Sequence, residues 1–194
     1  DINIDPKLLS PYNPAETEDR IYKIWEDSGF FNPDVCIEKG VTNKDAETYT
    51  IMMPPPNATG VLHMGHAMFL TIEDIMIRYK RMQGYRTLYL PGTDHASIAT
   101  QSKVEGEIKK KEGKSRHDLG REELLNRIDK FVSENRSTMT SQMRIMGASC
   151  DWSREAFTLD EKRNLAVRTI FKKMYEDGLI YRGNRIVNWD PKGQ

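Results

Sequence analysis

Two cysteines, no long apolar run and no excess of either charge limit this chain before any motif is read. Cys36 and Cys150 lie far apart, with no CxxC and no neighbouring histidine pair, so neither a disulfide framework nor a zinc site is indicated. Two reduced thiols in a cytoplasmic protein are the expectation. No apolar stretch approaches the roughly 18 residues of a membrane span, and the first residues lack the shape of a signal peptide, so no membrane partner is expected. Lysine plus arginine number 29 and aspartate plus glutamate 29, a formal net charge of +0. Bulk charge therefore gives no argument for nucleic-acid binding, and any such contact must be local or lie elsewhere. Internal repeats and low-complexity segments are absent as well.

What is present is an ordinary globular composition, 38% hydrophobic and 30% charged in 194 residues, enough for one sizeable core with an appendage. The chain starts with Asp1 rather than Met and stops at Gln194 just after a strand-like run; a piece of a longer protein is expected.

Asn13-Pro14-Ala15-Glu16 predicts a helix start, with an N-cap, a proline at the first helical position and a capping-box acid. Ile21, Ile24 and Trp25 supply its apolar face until Gly29. Residues 32–47 read as a polar, turn-rich connector. A strand is expected at 49–53, then a helix after His63 with Met68, Ile72, Ile75, Met76, Tyr79 and Met82 on its inner face, ending near Gly84. A second strand follows at 86–90. Such a unit implies parallel strands and a right-handed crossover. Helices are also expected at 98–111, at 121–146 with Leu124, Ile128, Phe131, Met139, Met143 and Met146 on one face, and at 159–178 with Val167, Ile170, Phe171 and Met174 inward. Residues 180–189 read as paired or extended strand. The basic run 109–116 reads as a solvated face.

Three of the four histidines fall in two motifs. The first is Pro54-Pro-Pro-Asn-Ala-Thr-Gly-Val-Leu-His63-Met-Gly-His66, between strand and helix. A helix N-terminus presents unpaired N–H groups that suit a triphosphate, and the imidazoles of His63 and His66 add donors aimed at charge developing on a phosphate. Gly65, without a side chain, lets a purine lie against the backbone. The second is Gly92-Thr-Asp94-His95-Ala-Ser97-Ile98, after the second strand. Ligands of open parallel sheets sit at the carboxyl ends of strands, so both motifs should face one crevice. Asp94 suits an ammonium, and equally suits an N-cap for the helix near Ile98. Prolines 54–56 keep the chain extended and leave carbonyls free, one of which would accept from the same ammonium.

The first motif resembles the ATP signature of the class I aminoacyl-tRNA synthetases, and closely its valyl form. The likeness covers roughly residues 11–192, and Gly147-Ala-Ser-Cys-Asp151-Trp-Ser-Arg154 shares it. The resemblance implies an α/β fold, the first half of a Rossmann-type nucleotide-binding domain with a doubly wound parallel sheet and helical additions. It divides the chain into a helical extension and connector (1–47), that half-domain (48–146) and a segment leading into an inserted editing domain absent here (147–194). The implied activity is ATP-dependent activation of valine to valyl-adenylate and transfer to tRNA-Val. Carried over residue by residue, His63 and His66 are catalytic and bind ATP with Gly65, Thr59 and Gly60. Pro55 and Asp94 meet the valine ammonium, Asn57 orients the carboxylate or adenylate, and Trp189 walls the side-chain pocket, where plain core packing is the other reading. Mg²⁺ arrives with ATP, and no metal is held by the protein. Asp151 and Arg154 read as a local ion pair. The implied partners are valine, ATP and, mainly through regions absent here, tRNA-Val, for a cytoplasmic monomer.

The chain departs from the family at Ser97, where glycine is more usual; serine is expected only to narrow the crevice floor. The family's Lys-Met-Ser-Lys-Ser loop, editing domain, second half-fold and anticodon-binding region do not occur in these residues, so the chain alone is expected to be weakly active or inactive. Two other readings stand beside this one. An isoleucyl-type synthetase shares the two elements of the first motif, and a non-synthetase nucleotide-binding or nucleotidyltransferase module would bind ATP without amino-acid dependence.

Overall fold

A computed structural model describes residues 5, 9 and 11–191. The chain forms two compact units, Asp1–Thr158 and Leu159–Gln194.

In the first unit, α1 (Pro14–Ser28) begins at Pro14, which needs no N–H there. The expected capping box does not form: Asn13 makes no side-chain cap, and the Thr17 hydroxyl donates to its carbonyl at 3.0 Å. Gly29, at φ 75°, ends the helix in the left-handed region. The expected connector contains a helix, α2 (Pro33–Glu38), because the Asn32 side chain caps the N–H groups of Asp34 (2.8 Å) and Val35 (3.4 Å).

Strand β1 (Thr48–Met52) pairs in parallel with β2 (Arg86–Leu90), and α3 (Met64–Met82) crosses between them. A short second parallel ladder joins β3 (Gly92–Thr93) to β4 (Ala156–Phe157). Between them lie α4 (Ser97–Glu112), α5 (Arg116–Leu119) and the long α6 (Arg121–Ile145). The main core gathers Met53, Leu70, Ile77, Tyr89, Met139, Met143, Ala148 and Cys150 from strand ends, α3, α6 and the loop after it. A second cluster, Val104, Ile108 and Leu124, seals α4 against α6. Of the face expected on α6, Leu124, Met139 and Met143 are buried, whereas Met146 is exposed.

Helix α3 turns the other way from expectation. Leu70, Asp74 and Ile77 face inward, while Met68, Ile72, Ile75, Met76, Tyr79 and Met82 are exposed. Both stripes have helical spacing, and the side toward the sheet is fixed by a polar anchor. Buried Asp74 accepts from Ser149 N (2.9 Å), the Ser149 hydroxyl and Arg78 Nε (2.6 Å), and Arg78 in turn donates to the Gly147 carbonyl (2.6 Å). A carboxylate so bonded is held inside a core that would otherwise reject it. α1 docks onto the same loop through Tyr22, whose hydroxyl donates to the Ala148 carbonyl (2.9 Å) and accepts from Trp152 Nε1 (2.8 Å). Asp151 and Arg154 do form an ion pair, which Asp34 extends.

The second unit is α7 (Glu161–Glu176), capped by the Asp160 side chain, followed by residues without strand pairing. Val167, Ile170 and Phe171 are exposed rather than inward, and Met174 is half-buried. Residues 180–189 form no ladder, and Trp189 is 67% exposed in this chain. A single helix has no second apolar layer of its own against which to close a face.

Candidate functional site

The site starts where the sheet runs out of donors. Met53 N donates to the Leu90 carbonyl at 3.0 Å, a last rung beyond β1. Pro54, Pro55 and Pro56 have no N–H, so the ladder stops and the chain stays extended. Pairing returns as one parallel bridge, Asn57 to Asp94: Asp94 N donates to the Pro56 carbonyl and Ala58 N to the Asp94 carbonyl, each at 2.8 Å. The two motifs are thus stitched together at the carboxyl ends of β1 and β2.

Beside the stitch lies a cleft of about 550 Å³ lined by Pro54, Pro55, Pro56, Asn57, Thr59, Gly60, Val61, His63, His66, Phe69, Lys103 and Met139. It therefore contains six of the residues singled out in the sequence, Pro55, Asn57, Thr59, Gly60, His63 and His66. Gly65 lies behind His63: a Cβ there would sit 2.9 Å from His63 Cε1, so this glycine makes room for the imidazole. Asp94 adjoins the cleft through its backbone, and Trp189 belongs to the second unit.

The two histidines cap α3. His63 Nδ1 accepts from Gly65 N and His66 Nδ1 from His63 N, both at 3.1 Å. A ring nitrogen that accepts carries no proton, so each neutral imidazole keeps its proton on Nε2. The rings lie 3.9 Å apart, and burial, followed by the electrostatic effect of the neighbouring His63 ring, holds the His66 pKa below the usual histidine value. The pair thus offers two N–H donors without adding charge.

Asp94 is held by groups from a distant part of the chain. Its Oδ1 accepts from Ala96 N (3.2 Å) and from the Thr158 hydroxyl (2.9 Å). Thr158 Oγ1 also accepts from His95 N (3.0 Å) and lies 2.6 Å from His95 Nδ1. With its one proton given to Asp94, Thr158 takes a proton from Nδ1, which fixes that tautomer of His95. The β3–β4 ladder delivers Thr158, whose N–H donates to the Thr93 carbonyl at 3.2 Å. Arg136 clamps the pair of strands through the Thr93 hydroxyl and Glu155, each at 3.0 Å. Asp94 is not the N-cap of α4; that position is Ala96, at φ 49°. Ser97 follows at φ 32°, so the glycine expected there is favoured by backbone conformation rather than by space in the crevice.

Thr158 and Lys103 were not found by reading the sequence. Thr158 lies 64 residues beyond Asp94 with no motif around it. Lys103 lies mid-helix among polar residues, and only the fold shows that it reaches the 57–60 loop.

Residues 20–194 match the family described as tRNA synthetases class I (I, L, M and V). The chain is 54% identical over 188 residues to a valine–tRNA ligase of Clostridium acetobutylicum, covering 97% of this chain and 20% of that protein. It is 51% identical over 192 residues to the valine–tRNA ligase of Clostridium perfringens, covering 98% and 21%. The chain thus spans about a fifth of the length of these relatives. A LeuRS of Agrobacterium radiobacter K84, solved as a ternary complex with tRNA and LeuAMS, has the same fold over 87% of this chain and 20% of that one, with TM-score 0.63 at 22% identity. With the family profile matching nearly the whole chain, and the two strands paired in parallel as expected, the protein belongs to the class I tRNA synthetases of the I, L, M and V group.

Proposed function

We propose that this chain carries the ATP and valine site of a valine–tRNA ligase, which activates valine to valyl-adenylate and transfers it to tRNA-Val. The observation that carries the reading is the backbone stitch between Pro56–Ala58 and Asp94, which sets a carboxylate beside a cleft bearing two imidazole donors. Asp94 and the Pro55 carbonyl bind the valine ammonium, and Asn57 orients the carboxylate. The triphosphate lies along Thr59, Gly60 and the Nε2–H groups of His63 and His66, and Gly65 serves the ATP site by making room for the His63 imidazole. The valine carboxylate attacks the α-phosphorus in line, the bond to the bridging oxygen breaks, and pyrophosphate leaves.

No side chain acts as a nucleophile. The protein contributes position and fixed donors, and charge gathering on the phosphate oxygens meets N–H groups already aimed at it. Mg²⁺ enters as the counter-ion of ATP. Among the described residues no group of three or more His, Cys, Asp or Glu side chains is placed to hold a metal ion. In this reading residues 1–47 are an extension, 48–146 the first half of the nucleotide fold and 147–194 the approach to an editing domain. The enzyme works as a cytoplasmic monomer, and regions beyond this chain hold most of tRNA-Val.

Amino-acid-dependent ATP–pyrophosphate exchange tests the reading, in the full-length protein that carries these residues, with valine, isoleucine, threonine or no amino acid. Exchange that favours valine and is lost in His66→Ala is expected. A preference for isoleucine would move the chain to the isoleucyl type, and ATP turnover indifferent to amino acid would overturn the synthetase reading.

A further inference from the structure

We infer that Lys103 is a phosphate-binding residue of the cleft, a fixed cation for the polyphosphate of the nucleotide and for the pyrophosphate it releases; this rests on the reading above. Lys103 projects from α4, and its Nζ donates to the Thr59 carbonyl at 2.6 Å. That contact spends one of three ammonium protons, and the Phe131 ring lies 5.9 Å from Nζ, so the ammonium keeps its formal charge between a carbonyl and a ring face. Among the described residues no carboxylate forms an ion pair with Lys103, and no residue lining the cleft is acidic. By contrast Lys111 and Lys114, on and just beyond the same helix, pair with Glu107 and Glu112.

The cleft needs such a charge for reasons internal to it. Pro54, Pro55 and Pro56 bring no N–H groups, and the N–H groups of His63 and Gly65 are taken by imidazoles. Asn57, Thr59, Gly60 and the two Nε2–H groups offer neutral donors, and among the residues lining the cleft Lys103 is the one lysine or arginine. Lys103 lies against the loop at Gly60, where a Cβ would meet Nζ at 3.4 Å, an ordinary van der Waals distance. A ligand with several phosphates can engage the imidazoles and the ammonium together, whereas an amino acid offers one carboxylate, already assigned to Asn57.

The test uses the full-length protein with Lys103→Met, which keeps the aliphatic stem, and Lys103→Arg, which keeps the charge. Calorimetric binding of ATP and of inorganic pyrophosphate is measured alongside KM for ATP and for valine in exchange. Lys103→Met is expected to weaken ATP and pyrophosphate about tenfold or more, the scale of one charge-assisted contact, with KM for valine unchanged. Lys103→Arg should recover most of the loss. Unchanged ATP and pyrophosphate affinities in Lys103→Met would overturn the inference, as would an equal rise in both KM values. His66→Ala separates the two failures. If His66→Ala abolishes valine-dependent exchange while Lys103→Met behaves as wild type, only the role of Lys103 falls. If the wild-type protein binds neither ATP nor pyrophosphate, both fall.

Discussion

Replacing Thr158 with valine removes one hydroxyl and keeps the shape of the side chain. Three contacts go with it: the 2.9 Å bond to Asp94, the 3.0 Å bond from His95 N and the 2.6 Å contact with His95 Nδ1. A hydrogen bond to a charged group contributes about 1.5–3 kcal/mol. Thr158 is half-buried, so water replaces part of the loss and the lower figure applies. If Asp94 holds the valine ammonium, about 1.4 kcal/mol of lost positioning raises KM for valine about tenfold. KM for ATP should not move, because the contacts proposed for ATP are made by Thr59, Gly60, His63 and His66 and none by Asp94 or Thr158. Steady-state exchange with Thr158→Val, Thr158→Ser and Asp94→Asn decides it. Serine should restore the wild-type value, since it returns the same donor. The reasoning fails if Thr158→Val leaves KM for valine unchanged while Asp94→Asn raises it.

Four further outcomes follow from the same geometry. Asp74→Ala strands Ser149 N and Arg78 beside a buried gap and should cost about 3 kcal/mol in urea unfolding, the low end for breaking a buried pair because Arg78 is partly exposed; a loss under about 1 kcal/mol would contradict the anchor assigned to α3. Ser97→Gly relieves a left-handed residue and should raise stability by about 1 kcal/mol, read from the melting midpoint, whereas a fall would show that φ 32° carries no strain. His66 has a depressed pKa, so its cap stabilises the fold above the ordinary histidine pKa of about 6.5 and is lost as pH falls through the lower folded value; an NMR titration midpoint at or above 6.5 would refute this. Burial pushes both the Cys36 and the Cys150 thiols up, so iodoacetamide at pH 8 should label neither in the native protein and both in urea.

Strand 86–90 was legible to the residue, because β-branched and aromatic residues run between a glycine and a Pro-Gly stop. Helices α3, α4 and α6 were legible to within a residue or two for similar reasons of capping and period. The inner face of α3 was not. Two apolar stripes share that helix, and Asp74, which decides between them, looks like a surface residue until Ser149 is brought to it from 75 positions away. α2 was hidden because Asn-Pro-Asp opens a turn and a short helix alike. Residues 180–189 mix β-branched and aromatic residues as a strand does, but such residues make a strand only where a partner edge exists. Of the candidate site, the loop and its histidines could be read because they are contiguous. Lys103 and Thr158 could not, since each acts only through a contact made by the fold.

The most direct measurement is a crystal structure of the full-length protein with a non-hydrolysable valyl-adenylate analogue. The account predicts the analogue's ammonium on the Asp94 carboxylate and the Pro55 carbonyl, with its phosphate-like group facing the Nε2–H groups of His63 and His66. An analogue bound elsewhere, or bound here with its ammonium turned away from Asp94, would contradict it.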